Sequence, residues 1–463
     1  MDKLVPARLG TSYRWLLASS WTTNFGDGIA MAAGPLLVAS LTDEPFLISV
    51  AALLGWAPPL VFSLYAGVLS DRHNRRRIVL TANAVRVLIL AVLVTTVATG
   101  TASVTVALAA LGLLATAEVF ADNTTATLTP MLVSRDDLAI ANSRIQTGFI
   151  TLNQLAGPPL GAALFAAGTA WPFLGQTLLV VAGTLLVSRV VLPPHGREAN
   201  RPKAPAREAN RPKAAGPEAN RPEANRPKAA AREANRPEAN GREAAGRQTR
   251  ELRKDLAAGF RWTLSHAAVR TLGLTILIFN VTFGAAWSVL VLYAQDRLGL
   301  GSVGFGLMTT VGAVGGLVGT GLYGWITRHV SLGDIMRVGL IIETLTHLGL
   351  ALTRSPWLAA GIFFLFGAHA FIWGTTSITV RQRAVPTELQ GRVGGVYTIC
   401  VYGGLVVGSA IGGVLATKYG VTAPFWFAFA GSAVFVVALW RQVSRIAHDD
   451  ESHSERPLET VSA

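Results

Sequence analysis

The chain has 463 residues, of which 51% are hydrophobic and only 14% charged, and its formal net charge is +13. Soluble chains of this size carry charge on about a quarter of their residues, so the composition argues against an ordinary soluble enzyme or binding module. The basic balance would suit a polyanion partner, but its loop-by-loop placement, described below, points away from nucleic acid and toward a lipid bilayer.

A membrane-spanning helix needs about 20 mostly apolar residues, and the chain offers such runs from end to end. Lys3, Arg8 and Arg14 precede the first, which carries Asp27 as its only charge before Asp43. Pro45 to Ser70 has no charge, and the basic loop Asp71 to Arg77 follows. From Ile78 to Ala117 only Arg86 is charged, and Glu118 and Asp122 come next. Ile145 to Ser188 is again free of charge. These last two runs are about twice the length of a span, so they must fold back as hairpins, at Gly100–Ser103 and Gly168–Pro172.

Residues 193–254 contain a repeated Glu-Ala-Asn-Arg-Pro unit, as in Glu198–Pro202, Glu208–Pro212 and Glu233–Pro237. Frequent proline and alternating charge oppose a packed core, which predicts a disordered cytoplasmic linker. Apolar runs resume at Thr271–Gln295, Leu298–Thr327, Val338–Thr353 (with Glu343 inside), Ser355–Val380, Val393–Thr417 and Tyr419–Trp440. The polar tail, 443–463, is expected to be disordered too. Counted this way the chain is an all-α membrane protein of twelve spans. Its units are an N-terminal six-helix half (1–192), the linker, a C-terminal six-helix half (255–442) and the tail.

Arginine clusters fall at the N-terminus, at Arg72–Arg77, Arg135 with Arg144, the linker, Arg328–Arg337, Arg381–Arg392, and Arg441 with Arg445. The intervening loops are nearly free of basic residues. This alternation is the positive-inside pattern, and it predicts that both termini and the linker are cytoplasmic. The N-terminal apolar stretch is long enough to be a retained span rather than a cleaved signal. Cys400 is the only cysteine, so neither a disulfide framework nor a cysteine metal site is expected. No Gly-x-x-x-x-Gly-Lys phosphate loop is seen, which argues against direct ATP drive. Neither a metal cluster nor a nucleophile elbow is legible, so no enzyme activity, metal or cofactor is expected.

The halves look like copies. Moving 251 residues along the chain carries Gly157 onto Gly408 and Gly161 onto Gly412, with Asp137 onto Glu388. Repeats in helical membrane proteins place a substrate path between the repeats near the bilayer midplane. Gly157, Pro158, Gly161, Gly408 and Gly412 are small or kinking residues that allow close helix packing.

The loop Gly67-Val-Leu-Ser-Asp71-Arg72-His-Asn-Arg75-Arg76-Arg77 has the Gly-x-x-x-Asp-Arg-x-x-Arg-Arg spacing. It resembles the cytoplasmic signature of the major facilitator superfamily, with Asn74 standing where glycine is common. The counterpart loop, Gly324 to His329, lacks the acid. Asn24-Phe-Gly-Asp27-Gly28 followed by Pro35-Leu-Leu resembles the branch containing macrolide-efflux proteins and the enterobactin exporter. Gly157-Pro158-x-x-Gly161 resembles the C-terminal part of the motif of drug/proton antiporters, with Asn153 at one of its upstream glycine positions. The resemblance implies a major facilitator fold in which the first, fourth, seventh and tenth spans line a central cavity.

Charges inside a span cost at least about 2.5–3.5 kcal/mol, so they face a wet cavity or a partner. On the implied fold, Asp27 and Glu118 line the cavity and are candidates for proton coupling. Gly67, Asp71, Arg72, Arg75 and Arg76 form a gating latch, with Asp122 expected to pair with its arginines or with Arg86. Asn24, Asn280, Trp287, His369 and Trp373 are candidate cavity residues. Glu343, on a peripheral span, has a weaker claim to coupling. The expected function is proton-coupled efflux of a drug or secreted metabolite by alternating access. The alternative is uptake of a small molecule by symport or uniport, which the fold permits equally. The expected setting is a bacterial inner membrane, and the expected partners are a small-molecule substrate, protons and lipid, with the chain acting as a monomer.

Overall fold

In hydrocarbon every backbone N–H and C=O must be satisfied within the chain, and the charge-free runs meet that demand as helices. The computed structural model describes residues 7–192, 254 and 256–448. The repeat linker (apart from Lys254) and residues 449–463 lie outside the described residues, as do the side chains of Asp71 and of 443–448.

The first half contains α1 (Thr11–Leu41), α2 (Pro45–Arg72), α3 (Arg75–Ala98) and α4 (Val104–Leu132). Helix α5 is built from three consecutive segments, Leu138–Gly148, Phe149–Ala156 and Gly157–Ala167, and α6 is Trp171–Val187. A helical stretch over 256–265 leads into the second half. There follow α7 (Ala267–Trp287), α8 (Ser302–His329), α9 (Leu332–Leu352), α10 (Pro356–Ala384), α11 (Gln390–Tyr419) and α12 (Ala423–His448). Among the described residues, nine helices are long and apolar enough to cross a membrane, and α6 is a shorter apolar helix of 17 residues.

Local chemistry sets the breaks. Asn74, Ser103, Ser331 and Ser355 cap α3, α4, α9 and α10 by accepting a backbone N–H three residues on. Pro45, Pro172 and Pro356 open α2, α6 and α10 where no donor is needed. The middle of α5 is a π-helical stretch just before Pro158 and Pro159, where the Gly157 N–H reaches back to the Leu152 carbonyl. Proline at 159 removes the donor that would serve the Leu155 carbonyl. That carbonyl instead accepts the Thr310 hydroxyl of α8, at 3.4 Å, from the other half.

The packing repeats. Helix α1 packs on α5 and α6, α2 on α4, and α3 on α4 and α6. In the same order α7 packs on α11 and α12, α8 on α10, and α9 on α10 and α12. The halves meet along two seams that exchange under the same correspondence, α2 against α11 and α8 against α5. Glycine makes the tightest crossings possible. A methyl group on Gly157 or Gly161 would strike the α1 backbone at Gly28 and Ile29. One on Gly408 or Gly412 would strike α7 at Val281 and Ala285.

The seams are closed at one end only. The largest apolar core joins Leu36, Ile48 and Phe165 of the first half to Val289, Phe305 and Phe425 of the second. It sits where the α1–α2, α5–α6, α7–α8 and α11–α12 connections gather. At that end Gly413 lies against Ser49 and Phe46, and Gly306 against Ala162 and Pro158. Toward the end carrying the chain termini, the remaining apolar cores each belong to one half. Gly67 of α2, Gly321 and Gly324 of α8, and Gly391 and Gly394 of α11 there face open space. The molecule is therefore wedge-shaped, with a cleft between its halves that opens at the terminal end.

Candidate functional site

Two buried polar clusters, one per half, stand out from this apolar frame. The first centres on Arg86, which is 1% exposed in the middle of α3. Its guanidinium bonds the carboxylate of Asp27 on α1 and lies 3.5 Å from the Asn83 amide oxygen. Gln176 of α6 donates to the same Asp27 oxygen at 3.3 Å. This meeting depends on the glycines beside Asp27: Gly26 lets α6 approach at Gln176 and Leu179, and Gly28 lets α5 approach at Asn153. Asn153 then donates to the Asn24 carbonyl at 3.2 Å, tying α5 to α1 one turn away.

Glu118 and Asp122 of α4 extend this cluster toward the cleft. Both act electrostatically on Arg86, and Asp27 acts on each of them. Glu118 is half-buried and Asp122 exposed. Tyr402 of α11, across the cleft, is within electrostatic reach of both and packs near Trp56 of α2, ring centres 6.4 Å apart. Three carboxylates thus share one guanidinium, and the acid excess faces the space between the halves. Such a site favours a proton or a cation, because unbalanced negative charge in a helix-walled interior is costly.

The second cluster is in the other half. Glu343 of α9, 2% exposed, lies between two imidazoles. Its Oε1 is 3.2 Å from His347 Nε2, one turn along α9, and its Oε2 is 3.1 Å from His369 Nε2 of α10. Arg86 and Glu343 occupy corresponding places: they are as far apart in sequence as the helix caps Asn74 and Ser331.

The other sequence candidates fall as follows. Asn24 bonds the Ser20 carbonyl at 2.8 Å and is half-buried. Asn280 bonds the Ile276 carbonyl at 2.7 Å and borders Gly404 of α11. Trp287 stacks on Phe283 and Phe366, at 4.3 and 4.7 Å. Trp373 is buried and stacks on Phe279, and both Trp373 and His369 border Gly339 of α9, so these two rings point into the helix bundle. In the α2–α3 loop Arg75 bonds the Ser70 carbonyl at 3.1 Å, and Arg76 bonds the Ser188 carbonyl at the end of α6. Arg76 and Arg77 also border a cavity of about 1050 Å³ in the first half, lined mainly by α3 and α4. Arg72 is half-buried, and the Asp71 side chain lies outside the described residues. Among the described residues no group of three or more His, Cys, Asp or Glu side chains has an arrangement that could hold a metal ion.

Sequence reading did not single out Gln176, His347, Phe283, Phe366 or Tyr402. The Glu343-x-x-x-His347 spacing, which puts both side chains on one helix face, was the available signal for one of them.

Two repeated helical bundles around a polar cleft define a membrane transporter rather than an enzyme. The chain belongs to the Major Facilitator Superfamily, whose model matches residues 16–409. It is 25% identical over 430 residues to the multidrug efflux pump Tap of Mycolicibacterium fortuitum, covering 89% of this chain and 90% of that protein. It is also 28% identical over 145 residues to solute carrier family 22 member 18 of Mus musculus, where the match covers 30% of this chain and only 34% of the mouse protein. Its fold is similar to that of a bacterial homologue of the iron transporter ferroportin in an inward-facing state, with a TM-score of 0.63, 15% identity and coverage of 94% and 99%. The nucleoside transporter NupG aligns with a TM-score of 0.66 and 11% identity over 94% of this chain and 99% of its own.

Proposed function

We propose that the protein is a proton-coupled exporter of cationic or amphipathic small molecules, working by alternating access across a bacterial inner membrane. The observation that carries this reading is the acid excess around Arg86: Asp27 is paired with the buried guanidinium, while Glu118 and Asp122 are more exposed and within electrostatic reach of Tyr402 of the other half. A positively charged substrate and a proton compete for those carboxylates, which is the chemistry that exchange requires. Similarity to a multidrug efflux pump over most of the chain supports export.

On this reading the chain crosses the membrane twelve times, with α1, the broken α5 and α6 added to the nine longer apolar helices. The positive-inside pattern puts the terminal end in the cytoplasm. The cleft then opens inward, and the Gly67–Arg77 loop acts as a latch when that end closes. The 193–254 linker joins the two halves as a tether.

The test is accumulation in inside-out vesicles with a panel of cationic compounds, with and without a proton gradient. Gradient-driven accumulation should be strong in wild type and fall at least about tenfold in Glu118→Gln, the size of a tuned proton-transfer group. Wild-type accumulation that ignores the gradient would favour a uniporter instead.

A further inference from the structure

The Glu343 cluster has no part in the reading above, yet its chemistry is as constrained as that of Arg86. An ionised carboxylate only accepts hydrogen bonds, so both Nε2 atoms facing it carry protons. Each imidazole then has its Nδ1 left to define its charge. Neither His347 Nδ1 nor His369 Nδ1 has a hydrogen-bond partner among the described residues, although the rings are 0% and 6% exposed. With both rings neutral the cluster holds one net negative charge in an apolar surround. A proton added at either Nδ1 makes an imidazolium beside the carboxylate and brings the net charge to zero. Helices α10 and α12 pack on α9 and Trp287 of α7 meets His347; among the described residues, the groups that act on Glu343 are His347 of α9 and His369 of α10.

The surroundings supply a gate. Trp287 of α7 meets His347 edge-on, ring centres 6.1 Å apart, and Phe366 meets His369 edge-on at 6.0 Å. Phe283, Trp287 and Phe366 stack on one another, all three half-buried, between the imidazoles and the α7 side of the cleft. Helix α7 is packed mainly on α11 and α12, and only lightly on α10. Side chains of α7 nonetheless meet α9 and α10, Phe279 on Trp373 and Trp287 on Phe363, so a shift of α7 against them repacks this aromatic cover.

We propose that Glu343, His347 and His369 form a second proton-binding site, in the C-terminal half, which takes up and releases one proton at an imidazole Nδ1 as the Phe283–Trp287–Phe366 cover moves. It rests on the chain being a proton-coupled transporter but uses none of the residues around Arg86. The two halves then hold opposite versions of one device at corresponding places, a buried cation among acids and a buried acid among imidazoles.

The test is nitrogen-15 histidine spectroscopy of the full chain in lipid nanodiscs, with the two resonances assigned from His347→Gln and His369→Gln. In wild type, one of these rings should gain an Nδ1 proton between about pH 9 and pH 5, while its Nε2 stays protonated. In Glu343→Gln the midpoint should fall by at least about one pH unit, because the carboxylate no longer favours the imidazolium. Two rings that hold one state across that range in wild type would overturn the proposal, as would a midpoint unmoved in Glu343→Gln. The wild-type titration alone is decisive if the variant fails to fold. Because the readout is not transport, a flat titration with intact gradient-driven export removes this site and leaves the functional reading standing. A clear titration without export does the reverse.

Discussion

Arg86 and Asp27 show how far single residues can be argued from sequence. Their placement inside apolar runs marks them as partnered, because an isolated charge there is too costly. Which partner each takes depends on where α1 and α3 cross, and no spacing rule states that. Sequence reasoning expected Asp122 to pair with the arginines of the Gly67–Arg77 loop or with Arg86; the Arg86 guanidinium bonds Asp27 directly and reaches Asp122 through space. Removing one member of such a buried pair leaves an uncompensated charge. Arg86→Met should therefore destabilise the protein by about 3–5 kcal/mol. The double substitution Arg86→Met with Asp27→Asn should recover a large part of that loss. Thermal unfolding of the purified variants in detergent reads both; a double variant no better than Arg86→Met would mean the pair is not the relevant contact. His347 teaches a related lesson, since a histidine in an apolar helix looks unremarkable until α10 brings His369 to the other oxygen of the same carboxylate.

At the scale of helices, glycine carries the information. Gly161 and Gly412 were legible as packing residues from their spacing and their repeat. The structure gives each an identified neighbour, the backbone carbonyls of Ile29 and Ala285. Overpacking such contacts costs about 1–3 kcal/mol. Gly161→Val and Gly412→Val should each lower thermal stability and the yield of monodisperse protein. Gly55→Ala and Gly374→Ala, where a methyl group meets nothing within 4 Å, should behave as wild type in the same size-exclusion and melting assays. Equal losses at all four positions would undo the distinction. The π-helical break in α5 was not legible. Proline signals a missing donor, but the compensating acceptor contact comes from Thr310 on a helix of the other half.

For the whole molecule, the apolar runs and the 251-residue repeat made the helical class and the two-half plan readable, because hydrocarbon leaves the backbone few choices. The end at which the cleft opens was not readable, since the same helices could leave either end open. It emerges from the apolar core shared at one end and the separate cores at the other. A cysteine pair tests whether that closed end must open. In a Cys400→Ser background, Ser49→Cys with Gly413→Cys brings together positions whose Cβ atoms would lie 2.9 Å apart, and a shift of about 1 Å reaches disulfide geometry. Oxidation should abolish transport and reduction should restore it. Undiminished transport by the cross-linked protein would mean that the two ends do not alternate.

Exchange of a small cation for protons is read from proton movement itself. Purified protein in liposomes containing a trapped pH-sensitive dye is given an inward gradient of a compound it transports, with no imposed proton gradient. Protons should leave as the compound enters, so the lumen becomes alkaline, and Glu118→Gln should lose the response. Protons moving in the same direction as the compound, or none moving while it is transported, would contradict it.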